Sequence, residues 1–201
     1  NNVLLGGLGF VPDITVHPVS FGYAGVMRMT ASELSFNASF ATNIPGGNDG
    51  TQANFDATRT GATAYYNVLR GGANFAHAFS NDWQSRIGLT GQYADDLLIP
   101  GEQFGIGGMD TVRGYLPREV AADKGYAAQL ELYTPNFAGS AGLSDKWRSR
   151  VVGFYDYGSV RNNDPLPGDL SSQSLASTGL GLRMSYGKSV ILRFDVAQIL
   201  R

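Results

Sequence analysis

Gln103-Phe104-Gly105-Ile106-Gly107-Gly108-Met109-Asp110-Thr111-Val112-Arg113-Gly114-Tyr115 is the stretch whose reading decides the fold. It joins two segments that read as membrane-spanning strands. Its centre, Val112-Arg113-Gly114-Tyr115, sets a permanent charge between apolar and aromatic neighbours. A guanidinium in such company needs water or a carboxylate, because an unpaired buried charge is prohibitively costly. Glu131 and Asp156, both downstream, are the candidate partners.

Working outward, alternation of period two recurs along the chain, and sustained helical periodicity is nearly absent. Val190, Leu192, Phe194 and Val196 share one face, with Arg193 and Asp195 on the other. Leu180, Leu182, Met184 and Tyr186 likewise oppose Gly179, Gly181, Arg183 and Ser185. The pattern predicts eight strands, at 16–30, 33–44, 63–79, 83–97, 125–135, 148–161, 174–187 and 189–199, with 3–10 as the tail of a ninth. Most exceed the ~5–6 residues usual in soluble sheets and reach the ~9–11 that cross a bilayer at a tilt.

The connections alternate in length. Residues 30–32, 80–82 and 187–188 are tight; 45–62, 98–124 and 162–173 are long, with 136–147 intermediate. Short turns at one end and long loops at the other are the habit of outer-membrane barrels. Alternation alone also fits a soluble sandwich. Strand length, aromatic content and loop asymmetry favour a barrel with lipid outside and a hydrated lumen.

Composition agrees. The 201 residues include 27 glycines, 10 tyrosines and 11 phenylalanines, with only 16% charged, which disfavours disorder. A net charge of −2 gives no electrostatic case for nucleic-acid binding. Without cysteine, neither a disulfide framework nor a thiolate metal site exists. No apolar run approaches the ~18 residues of a transmembrane helix. The start, Asn1-Asn2-Val3-Leu4-Leu5, carries no basic region or Met, so the chain is expected to begin inside a longer protein.

Other chemistry finds little support. His17 and His77 stand far apart with no second ligand at metal spacing, so no metal or other cofactor is expected. The glycines of 105–114 precede no helix and no Lys-Ser/Thr pair, which argues against phosphate binding. Gly46-Gly47-Asn48-Asp49-Gly50 reads as a loop tip. No serine sits in a nucleophile elbow, so no catalytic residue is assigned and no enzyme is expected.

Strand parity aims Glu131 away from Leu130 and Leu132, alongside Gln129 and Tyr133, and puts Asp156 on the face of Phe154 and Gly158. If loop 104–124 folds back over that face, Arg113 reaches both acids in charge-assisted, bidentate contacts. The other reading is a solvated loop arginine, with both acids lining a wet pore.

Several motifs then line up. They are Glu102 to Gly108 with Thr111-Val112-Arg113-Gly114-Tyr115, then Asp123-Lys124-Gly125-Tyr126, then Leu130-Glu131-Leu132-Tyr133-Thr134-Pro135. Phe154, Asp156 and Gly158 follow, and after them Gly179-Leu180-Gly181-Leu182-Arg183. Together these resemble the two-partner secretion transporters (TpsB, the hemolysin-activator ShlB/FhaC/HecB family), of the superfamily that includes the BamA assembly factor. Specific motifs cover about residues 102–197; the earlier strands match in general character.

The resemblance implies an all-β fold: residues 1–201 would be the C-terminal half of a transmembrane antiparallel β-barrel, with about eight of a presumed sixteen strands. POTRA domains would lie N-terminal to it, and a closing strand beyond Arg201. The motif arginine of the family folds into the lumen and bonds an aspartate of the wall, in some members with a neighbouring glutamate. That carries Arg113 onto Asp156, with Glu131 second, and gives Gly107, Gly108, Phe154 and Gly158 supporting positions. Ala122 stands where many members have glycine.

The implied function is export of an unfolded exoprotein, a TpsA-like partner, by a monomeric barrel in the outer membrane of a Gram-negative bacterium, in contact with its lipid. Gly72, Gly179 and Gly181 would leave room in the lumen for the passing chain. The alternatives are a BamA-like assembly factor, a diffusion porin, and a soluble lipocalin-like binder.

Overall fold

A computed structural model describes residues 13–165 and 171–200, together with the backbone of 4–5 and 8–9. Its strands are β1 (Leu4–Leu5), β2 (Leu8–Gly9), β3 (Pro18–Arg28), β4 (Ser32–Asn43), β5 (Asn67–Ala78) and β6 (Gln84–Tyr93). They continue with β7 (Phe104–Ile106), β8 (Val120–Ala122), β9 (Lys124–Tyr133), β10 (Trp147–Arg161), β11 (Ser172–Tyr186) and β12 (Val190–Leu200). One short helix, α1 (Gln52–Thr58), lies between β4 and β5.

Eight strands form one antiparallel sheet in the order β12-β11-β10-β9-β6-β5-β4-β3. They correspond to the eight segments expected from alternation, with ends moved by up to four residues. Each pairs with its sequence neighbour, and β6 pairs directly with β9 across the insertion that carries β7 and β8. The expected strand tail at 3–10 lies largely outside the described residues; β1 and β2 pair only with each other.

The two faces differ as period two demands. Phe21, Tyr23, Leu89, Leu180, Phe194 and Val196 point from the outer face into open surroundings, with Val196 79% exposed. In water such a continuous apolar surface would be a liability. In a bilayer it is the lipid-facing band of a barrel, and strands of 10 to 15 residues are long enough to cross. Among the described residues β3 and β12 are the edges, and the sheet does not close on itself.

At the loop end a small apolar core forms outside the sheet's plane of alternation. Phe55 of α1 packs with Ala62, Ala64, Tyr66, Val68, Ala94, Leu98 and Ile99. The helix is set by a capping box: the Asn54 N–H donates to the Thr51 hydroxyl, and the Thr51 N–H donates back to Asn54 Oδ1. Residues 63–66 and 94–97, expected as strand, turn instead into this cap.

Candidate functional site

The connection from β6 to β9 is a folded arm. Phe104–Ile106 pairs antiparallel with Val120–Ala122, and this neck packs Ile106 and Ala122 against Ala127 and Val160 of the sheet. Beyond the neck, Gly107 (φ +108°) and Gly108 (φ +91°) take left-handed backbone that a side chain disfavours. A Cβ on Gly107 would lie 2.4 Å from the Leu116 carbonyl oxygen, so only glycine lets the two arms of the tip approach. The Thr111 hydroxyl fastens the turn, donating to the Gly107 carbonyl at 2.9 Å and accepting from the Gly107 N–H at 2.8 Å.

This geometry lays Val112-Arg113 flat on the inner face, Val112 fully buried and Arg113 5% exposed. The Arg113 Nε and Nη2 donate to the two oxygens of Asp156, each at 2.7 Å, and its backbone N–H donates to Asp156 Oδ2 at 3.1 Å. Nη1 donates to Glu131 Oε1 at 2.7 Å. The other Glu131 oxygen accepts from the Tyr133 hydroxyl at 2.5 Å. Asp156 is completely buried, and among the described residues it is Arg113 whose donors compensate its charge.

The Phe154, Asp156, Gly158 spacing acquires a physical meaning here. All three share one face of β10. The Phe154 ring lies under the guanidinium, 3.7 Å from the central carbon to the ring centroid, a cation–π contact. Gly158 admits the tip: a Cβ there would meet Ile106 and Val112 methyls at 3.1 Å. Gly114 (φ +91°) turns the chain away against Ala197, and the Tyr115 hydroxyl reaches the Ala176 carbonyl at 3.4 Å.

The glycines expected to leave lumenal space are filled by other side chains. A Cβ on Gly179 would lie 2.5 Å from Phe154, and one on Gly181 2.2 Å from Asp195. Gly72 faces Asn37 at 3.3 Å. Gly179 and Gly181 make room for Phe154 and Asp195 beside Arg113, and Gly72 for Asn37, which corrects the reading that they open a passage.

A second buried carboxylate went unassigned in the sequence. Asp123, fully buried at the entry to β9, accepts from both terminal nitrogens of Arg59, which caps the C-terminus of α1. It also accepts the N–H groups of Leu98 at 2.9 Å and Asn163 at 2.8 Å. The Asn163 amide in turn donates to the carbonyls of Ala94 and Asp96. One carboxylate thus ties three long connections together. Its only sequence signal was the Asp123-Lys124-Gly125 pattern; nothing marked Arg59.

Beside it, Arg70 of β5 joins Glu102 at 2.9 Å and Gln92 at 2.8 Å. The His77 ring is 2.7 Å from the Ser32 hydroxyl, and the backbone N–H of His17 donates to Asn43 Oδ1 at 2.7 Å. Among the described residues no group of three His, Cys, Asp or Glu side chains is arranged to hold a metal.

A family model described as haemolysin secretion/activation protein ShlB/FhaC/HecB matches residues 12–184. The heme/hemopexin transporter protein HuxB of Haemophilus influenzae is 33% identical over 118 residues, covering 56% of this chain and 20% of HuxB. HuxB of strain 86-028NP is 32% identical over 118 residues, with the same coverage. The chain therefore spans about a fifth of the length of the curated relatives it matches. CdiB from Escherichia coli superposes with a TM-score of 0.76 at 20% identity, covering 99% of this chain and 35% of CdiB. CdiB from Acinetobacter baumannii gives 0.65 at 20% identity, covering 90% and 29%. At that identity the likeness to the two structures is one of fold.

Proposed function

The chain belongs to the haemolysin secretion/activation family of ShlB, FhaC and HecB, and on that ground we propose that it forms part of the pore wall through which an unfolded exoprotein leaves the cell. Members of this family are outer-membrane transporters of Gram-negative bacteria that work with secreted partners, and the chain shares that location. Residues 1–201 act as one barrel segment. Further strands pair with β3 and β12, since a sheet edge facing lipid would leave backbone groups unsatisfied. POTRA domains would precede it.

In this reading the inner face of the sheet is the lumen, and loop 98–124 lies within it. The observation that carries the proposal is the four hydrogen bonds by which Arg113 holds the loop tip to Asp156 and Glu131. Such a latch sets the tip as a plug or strut across the path of the cargo. The work is translocation rather than catalysis, and the cargo is a TpsA-like exoprotein.

The test uses the full-length transporter expressed with its exoprotein. Arg113→Ala should lower the exoprotein released to the medium at least ~10-fold, the effect of ~1.4 kcal/mol of lost positioning. Heat-modifiable migration, which reports the folded barrel, should stay unchanged. Normal export by a folded Arg113→Ala barrel would reject the role.

A further inference from the structure

We propose that the turn end of the inner face is a docking surface for carboxylate-rich stretches of the travelling polypeptide, a specificity that rests on the translocation reading above. Arg150, Arg183 and Arg193 stand directly opposite one another on β10, β11 and β12. Arg86 and Arg148 line the same cleft of about 500 Å³. Five arginines therefore share one cavity in a chain whose net charge is −2.

Like charges at directly opposed positions destabilise a sheet, so this row needs a compensating anion. The acids nearby answer for part of it. Asp195 takes Arg183 at 2.8 Å, and Asp82 takes Arg150 at 2.6 Å. Glu131, the one carboxylate lining the cleft, is already engaged by Arg113 and by the Tyr133 hydroxyl. Arg148 and Arg193 are exposed and form no salt bridge among the described residues, although the charge of Arg148 also acts on Asp82. The surplus cation faces the end where the short turns 29–31 and 187–189 lie. On the translocation reading that is the periplasmic mouth, where cargo arrives.

The spacing favours a chain over a small anion. Strands lie ~4.8 Å apart, so the uncompensated Arg148 on β10 and Arg193 on β12 stand about 10 Å or more apart, wider than one carboxylate or phosphate. An extended polypeptide rises ~3.3 Å per residue, so two acids about three or four residues apart meet both. Guanidinium groups bind carboxylates in paired, planar fashion, and a walled cleft of one sign draws the opposite charge in.

The test titrates the full-length protein in detergent with a fluorescent oligo-glutamate peptide, with oligo-lysine and inorganic phosphate as parallel arms. The paired substitution Arg148→Gln with Arg193→Gln removes two exposed charges outside any salt bridge, and heat-modifiable migration checks that the barrel is folded. Oligo-glutamate should bind, weaken with salt, and lose at least ~10-fold in affinity in this variant. Arg148→Lys with Arg193→Lys should retain most of the binding. Equal binding of oligo-lysine, an unchanged affinity in the Gln variant, or displacement by phosphate at equal charge concentration would overturn the proposal. Binding is read here without export. A failed titration leaves the Arg113 export test intact, and a failed export test leaves the titration intact.

Discussion

Asp156 accepts three hydrogen bonds from one residue, Arg113: two from the guanidinium and one from the backbone N–H. Main chain and side chain of the loop tip are thereby fixed to the same carboxylate. The third guanidinium nitrogen goes to Glu131 on the next strand, so the tip is held on both β9 and β10.

Removing one member of this set leaves the other charged and buried. Asp156→Ala should destabilise the tip by about 3–5 kcal/mol, and Arg113→Ala by a similar amount. The double replacement should cost clearly less than the sum of the two. Protease sensitivity of residues 107–119 in the membrane-embedded protein measures all three.

Arg113→Lys should behave nearly as badly as Arg113→Ala. A lysine ammonium keeps the charge but cannot present the planar fork that engages Asp156 and Glu131 together. Export and loop protection near the wild-type level in the lysine variant would count against a geometric role for the guanidinium.

Gly179→Ala tests the floor beneath the latch. The added methyl meets Phe154 at 2.5 Å and the Val196 carbonyl oxygen at 2.1 Å, both closer than atoms tolerate. The ring must shift from under Arg113, at a cost of about 1–3 kcal/mol for overpacking. Raised protease sensitivity of the tip, in a variant that still inserts, is the expected result.

Asp123→Asn should loosen the loop end while sparing the latch. The substitution weakens the hold on Arg59 and on the N–H groups of Leu98 and Asn163. Amide hydrogen exchange at Leu98 and Asn163 should accelerate at least ~10-fold, with exchange at Arg113 unchanged, since separated sites act independently.

The hold of Asp82 on the Asn136 N–H should not change across neutral pH. The Asn136 N–H and the Arg150 guanidinium hold the Asp82 carboxyl below its ordinary value. A depressed carboxylate contributes stability above its unfolded value and loses it only as pH falls through the lower folded one. Exchange at the Asn136 amide, corrected for intrinsic rate, should therefore be constant between roughly pH 5 and 8. It should rise only in strong acid.

The strands were legible because period two recurs through them, cleanly in 180–186 and less so in 16–30, and a strand's parity fixes which side chains share a face. That parity put Glu131 and Asp156 on one side, and the structure has both on the face where Arg113 lies. The helix α1 was not legible. Seven residues give too few turns for an apolar stripe, and its start is set by a Thr51–Asn54 capping box inside a run of turn formers. Nor was Arg59 with Asp123, since the pair spans 64 positions and joins two loops whose paths no periodicity dictates. The glycines of β11 were visible as glycines, but what fills the space beside them depends on a ring from β10.

Both acids that hold Arg113 belong to strands whose ladders are complete on either side, β9 between β6 and β10, β10 between β9 and β11. Undocking the tip therefore exchanges side-chain partners for water and breaks no interstrand pairing. On the translocation reading proposed above, freeing a passage and keeping the membrane sealed would then be separable events.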